Sequence, residues 1–141
     1  MSVLVDTSIW SLALRRRSAR LNADERNRVE ALRRLIELNE AKLIGAVRQE
    51  LLSGIKERKE FEALRDELRN FQDEPLDAED YERAAEMTNR LTSIGITCSP
   101  IDVLICAVAK QRDWEIFSTD RDFERYSKEF DCPLFRISRQ K

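Results

Sequence analysis

At 141 residues the chain has the length of one domain built around one hydrophobic core. The 42% of apolar residues suits a globular protein, while 37% of Asp, Glu, Lys and Arg against the usual ~25% calls for a heavily charged surface, and a net charge of −2 excludes nucleic-acid binding by bulk positive charge. With no histidine, the Ser-His-Asp triad, the Cys-His dyad, histidine zinc sites and the paired-histidine ribonuclease mechanism all fall away, which leaves carboxylates, hydroxyls and thiols to carry any chemistry.

The amino terminus has no basic region, and no apolar run approaches the ~18 residues of a membrane span, so the expectation is a soluble, cytoplasmic protein without a membrane partner. Val3-Leu4-Val5 is a short apolar run ending in Asp6-Thr7-Ser8, as in a buried strand with polar groups at its carboxyl end. A helix is expected over residues 9–16. At and beyond its end lie Arg15, Arg16, Arg17 and Arg20, either a solvated helix face or a local basic rim suited to phosphate. Asn22 and Glu25 have capping-box spacing and open a helix to about residue 40, with Val29, Leu32, Leu35 and Ile36 on one stripe. Residues 42–46 read as a second strand and residues 47–59 as a helix, followed by an amphipathic helix carrying Phe61, Leu64, Leu68 and Phe71.

Beyond Pro75, Asp77 and Asp80 mark another cap, with Tyr81, Ala84, Ala85, Thr88 and Leu91 expected to face inward and Gly95 to end the helix. Residues 96–98 are a brief strand or an extended link. Ser99-Pro100-Ile101-Asp102 is a helix start with Ser as cap and Pro at the first position, and Ile101, Leu104, Ile105, Val108 and Ala109 form the buried stripe. Residues 115–119 read as a third strand ending in Asp120-Arg121-Asp122, then a short helix to Tyr126 and a terminal strand at 134–137. Strands alternating with helices predict a three-layer α/β/α domain around a mostly parallel sheet, spanning residues 1–141. The odd count of cysteines, Cys98, Cys106 and Cys132, reads as buried reduced thiols.

In a parallel sheet, function collects at the carboxyl ends of strands and at the helix starts that follow. Asp6, Glu50, Asp102 and Asp120 all meet that test, with the hydroxyls of Thr7, Ser8, Ser118 and Thr119 alongside. Carboxylates brought together raise one another's pKa, and a hard divalent cation such as Mg²⁺ or Mn²⁺ relieves the repulsion. Each acid also has a plainer reading, as a helix cap or a solvated residue, and placement alone leaves both open.

The segments at Val5–Trp10, Glu50–Gly54, Asp102–Ala109 and Ser118–Phe123 resemble the successive motifs of the PIN domain, and their order in a chain of this length is similar to the VapC-type ribonuclease toxins of toxin–antitoxin pairs. The resemblance implies a PIN-like fold and a Mg²⁺- or Mn²⁺-dependent endoribonuclease, with catalytic Asp6, Glu50, Asp102 and Asp120. Of these it implies Asp6, Asp102 and Asp120 as metal ligands, supported by Ser8, Thr119 and Asp122. It further implies an RNA substrate with transfer RNA the leading class, 5′-phosphate and 3′-hydroxyl products, a homodimer, and a cognate antitoxin that blocks the acidic pocket. The chief alternative is a non-catalytic PIN-like binding module. A haloacid-dehalogenase-type phosphotransferase wants an acid where Ser8 stands, a receiver wants an acidic pair before its strand-end Asp, and structure-specific DNA nucleases are usually much larger.

Overall fold

Val3, Leu4 and Val5 are each buried, which places strand β1 (Val3–Val5) at the centre of the sheet in the computed structural model, in which residues 1–15 and 18–137 are described. Strands β2 (Ala41–Lys42) and β3 (Glu115–Phe117) flank it, both parallel, in the order β2-β1-β3. Parallel neighbours require crossovers that lie over the sheet, and helices supply them. Between β1 and β2 come α1 (Thr7–Leu14), a 3-10 turn at Ser18–Arg20 and α2 (Ala23–Glu37). Between β2 and β3 come α3 (Gly45–Leu52), α4 (Arg58–Leu68), α5 (Ala78–Ser93) and α6 (Pro100–Arg112), and α7 (Asp122–Phe130) follows β3. Helix α1 packs on α2 and α3, and α3 on α4, while α5 and α7 pack on α6, which itself lies on β1 and β3. This is the expected three-layer arrangement.

The local signals that rest on side-chain-to-backbone bonding hold closely. Asn22 and Glu25 close a reciprocal capping box at 2.8 and 3.0 Å, and Asp77 and Asp80 close another at 3.1 and 3.0 Å. Ser99 caps α6 by accepting the Ile101 N–H, with Pro100 in the first position. Gly95 follows the end of α5 at φ +80°, where a side chain would be strained.

Other expectations need correction. The first helix begins at Thr7 rather than Ile9, because the Asp6 carbonyl already receives the Ile9 and Trp10 N–H groups. The second strand is Ala41–Lys42, not residues 42–46, because Ile44 caps α3 through its carbonyl and Gly45 starts that helix. The helix expected over 47–59 is broken after Leu52 by Ser53 in extended backbone and Gly54 at φ +86°. On α5, Tyr81 and Ala85 are exposed, and the inward face runs through Asp80, Ala84, Met87 and Leu91. That helix is turned toward a charged partner on α6. Ile36 is exposed at the edge of the α2 stripe.

Residues 103–109 of α6 are all buried, a wider face than the predicted stripe, because α5, α7 and the sheet enclose this helix. Residues 96–98 link α5 to α6 and are neither helix nor strand. The terminal strand reduces to a bridge between Ile116 and Leu134. The core runs from Leu4 and Trp10 through Ile105 to Phe123 and Tyr126, and Cys98, Cys106 and Cys132 are free thiols. Among the described residues no helix is long and apolar enough to cross a membrane.

Candidate active site

The register of the sheet builds the site. Val5 pairs with Phe117, and the Asp6 N–H donates to the Phe117 carbonyl at 2.9 Å, so the residues that leave β1 and β3 emerge side by side. Those residues are Asp6 and Ser118. Although Asp6 occupies the cap position of α1, its side chain makes no capping bond, and Oδ2 instead accepts Ser118 Oγ at 2.7 Å and Ser8 Oγ at 2.9 Å. The two hydroxyls lie 3.3 Å apart, Ser8 Oγ accepts the Thr119 N–H at 3.1 Å, and Ser118 Oγ accepts the Asp120 N–H at 3.0 Å. Asp6 is a buried carboxylate, 5% exposed, fixed in orientation by two hydroxyl donors.

Asp102 faces the same edge from the first turn of α6. It does not close the Ser99 cap into a box, unlike Glu25 and Asp80 in their helices. Its carboxyl is pushed up to about 7, chiefly by burial and then by the charges of Asp6, Asp120, Glu50 and Asp122. The predicted acids therefore share one electrostatic neighbourhood although they come from the β1–α1 junction, α3, α6 and the segment where β3 leads into α7. Among the described residues none of them takes part in an ion pair.

Glu50 is half-buried on α3, and Asp120 and Asp122 are exposed. Asp120 realises part of the plainer reading, since Oδ1 accepts the Asp122 N–H at 2.9 Å at the start of α7, leaving Oδ2 for another partner. Thr119 enters the network through its backbone, and Ser118, in the sequence only one of the hydroxyls beside the acids, supplies the joining hydroxyl. Tyr126, in the sequence only the expected end of a short helix, has a buried phenol that is pushed up to about 12, first by burial and then by the charges of Asp102 and Asp122.

The donor set fits a hard divalent cation in chemistry: oxygen ligands only, converging negative charge, and a carboxyl whose ionisation a cation would restore. As the side chains lie, no three His, Cys, Asp or Glu residues among those described stand close enough to grip an ion together. Of the arginine cluster, Arg15 and Arg20 are exposed, and Arg16 and Arg17 lie outside the described residues. The arginines that line a cavity beside Ser118–Asp120 are others: Arg28, Arg121 and Arg136.

Comparison with known proteins places the fold. The family described as the PIN domain matches residues 3–129. No curated protein sequence matches the chain. Among solved structures, FitAcB from Neisseria gonorrhoeae superposes with a TM-score of 0.71 at 22% identity, covering 96% of this chain and 97% of that one. VapBC2 from Rickettsia felis, bound to a DNA fragment from its promoter, gives 0.69 at 18% identity over 89% and 92% of the two chains. VapBC-5 of the toxin–antitoxin systems of Mycobacterium tuberculosis gives 0.64 at 16% identity over 97% and 100%. At these identities the structural likeness is one of fold.

Proposed function

Because the chain belongs to the PIN domain family, we propose that it is a metal-dependent endoribonuclease toxin, cytoplasmic and homodimeric, that hydrolyses RNA, with transfer RNA the leading substrate class, and is restrained by a cognate antitoxin. The observation that carries the reading is the unneutralised acidic edge: Asp102 held up to about 7 among Asp6, Asp120, Glu50 and Asp122, with no cationic side chain paired to any of them among the described residues. A fold stabilised for its own sake has no use for such a cluster. The toxin–antitoxin complexes among its structural neighbours support the partner.

Asp6, Asp102 and Asp120 would hold the ion. Bound Mg²⁺ or Mn²⁺ supplies charge neutralisation at the phosphate and lowers the pKa of a water. Ser8 and Ser118 keep the Asp6 carboxylate aimed by donating to one of its oxygens, which leaves the other for ligation. Asp102 gives up its proton when a cation arrives, since the repulsion that raised its pKa is then offset. Glu50, from a separate helix, is the carboxylate left to orient the attacking water and take its proton. In-line attack on phosphorus with departure of the 3′ oxygen gives a 5′-phosphate and a 3′-hydroxyl.

The test is digestion of total RNA by the purified protein with Mn²⁺, with Mg²⁺ and with EDTA, alongside Asp102→Asn. Cleavage should need the ion and fall at least about 100-fold in the variant. Undiminished cleavage in EDTA overturns the metal mechanism, and absence of cleavage by the parent under all conditions leaves the non-catalytic binding module.

A further inference from the structure

Resting on the reading of the chain as a ribonuclease, we infer that the cavity lined by Arg28, Arg121 and Arg136 is a phosphate subsite that holds the RNA strand next to the bond being cut. The cavity, of about 190 Å³, shares Ser118, Thr119 and Asp120 with the acidic edge, so its mouth adjoins the reacting centre. Its three guanidinium groups come from segments far apart in sequence: α2, the turn between β3 and α7, and the chain beyond the Ile116–Leu134 bridge. Arg28 is half-buried, and neither it nor Arg121 has an ion-pair partner among the described residues. Guanidinium forks that no carboxylate occupies can pair with the oxygens of an incoming anion.

The acids in the same wall offset the cavity only in part: Glu124 pairs with Arg136 at 3.9 Å, and with Asp120 there are two carboxylates against three guanidinium groups. The edge thus has two poles, carboxylates on the Asp6 side and guanidinium groups on the Arg28 side, with Ser118–Asp120 as the divide. A phosphodiester strand suits that pattern. One phosphate sits where a cation is bound by acids, and a neighbouring phosphate meets the planar forks of arginine, which match its oxygens in pairs. The site reads backbone and not base, since guanidinium–phosphate contacts carry no sequence information. It also reconciles the acidic net charge with an RNA substrate, because the positive charge is local.

The test uses the full chain carrying Asp102→Asn, so that RNA survives, and a fluorescent pool of mixed-sequence single-stranded RNA with Mn²⁺ at a series of salt concentrations. Adding Arg28→Gln or Arg121→Gln should weaken binding about tenfold or more, and the slope of log affinity against log salt should fall by about 0.7, the loss of one phosphate contact. Arg28→Lys should restore the slope and only part of the affinity. Arg34→Gln, exposed elsewhere on α2, should change neither by as much. Arg121 is exposed, so its variant keeps the test open if Arg28→Gln lowers the melting temperature.

Unchanged affinity and slope in both glutamine variants overturn the subsite while leaving the ribonuclease reading intact, provided the parent with Asp102 still cleaves RNA. A parent that neither cleaves nor binds RNA overturns both. An oligoglutamate peptide that binds the cavity as tightly as the RNA pool assigns it to a protein's carboxylates and overturns the phosphate assignment.

Discussion

Two acidic regions of this protein handle buried charge in opposite ways. Asp80, 1% exposed on α5, accepts Arg112 Nη1 at 2.7 Å on one oxygen and Arg112 Nη2 at 2.9 Å on the other, with Gln111 Nε2 at 2.9 Å beside them. Those bonds, Arg112 first, hold its carboxyl down at about 2 despite burial. Asp6 and Asp102 have hydroxyl donors or none at all, and the acids around Asp102 push it the other way. A carboxylate that serves only the fold carries its cation with it. Among the described residues the acids beside β1 and β3 have no such internal cation, which is why the proposed function gives them one from outside.

Breaking the neutralised region should have the larger effect on stability. Arg112→Ala strands the Asp80 charge in the interior and also removes bonds to Pro75 and Glu74, so unfolding free energy should fall by about 3 kcal/mol or more, read as a lowered denaturant midpoint. Restoration by the double change Arg112→Leu with Asp80→Leu would show that the loss is an orphaned charge rather than lost packing.

The pH dependence separates the two regions next. Asp80 binds fewer protons folded than unfolded, so its contribution is fully present above the unfolded pKa of about 3.9 and is lost as pH falls toward about 2. Asp102 binds more protons folded than unfolded. Its cost is absent below about 3.9 and grows as pH rises to about 7, so metal-free protein should lose stability across that window. Asp102→Asn should flatten that slope and leave the metal-free protein as stable or more stable at pH 7, by up to about 2 kcal/mol, in melts taken in EDTA. A steeper slope in the variant contradicts the assignment.

The smallest effect is expected at Ser118. Ser118→Ala removes one donor to Asp6 and the acceptor for the Asp120 N–H, which costs about 1 kcal/mol of stability but about 10- to 100-fold in metal affinity, because a freed carboxylate is a poorer ligand. Equal metal affinity in the alanine variant would reduce the serine to a turn residue.

How much of this was legible in the sequence follows from how local each signal is. The capping boxes at Asn22 and Asp77 and the Ser99-Pro100 start are each written within three residues along the chain, which makes them readable from spacing alone. The clustering of Asp6, Glu50, Asp102 and Asp120 was readable because parallel-sheet topology converts position after a strand into position on one edge. What sequence spacing did not carry is pairing across elements. Asp80 reads from spacing only as half of a capping box, since its Arg112 partner lies 32 residues away, so Tyr81 and Ala85 join Ala84, Thr88 and Leu91 on the expected inward face of α5 although both are exposed. Likewise the cations beside the site were sought in the run at Arg15–Arg20, whereas Arg28, Arg121 and Arg136 meet only once the chain is folded.

The central claim, that the acidic edge is completed by a cation, is tested most directly by calorimetric titration of Mn²⁺ into the parent and into Asp102→Asn at pH 6, in two buffers of different ionisation enthalpy. With its carboxyl at about 7, Asp102 is mostly protonated at that pH, so the parent should bind Mn²⁺ and release close to one proton per ion. The variant should bind at least about tenfold more weakly and release none. Equal affinity and equal proton release in the two proteins, or no binding by the parent at millimolar Mn²⁺, would contradict the account.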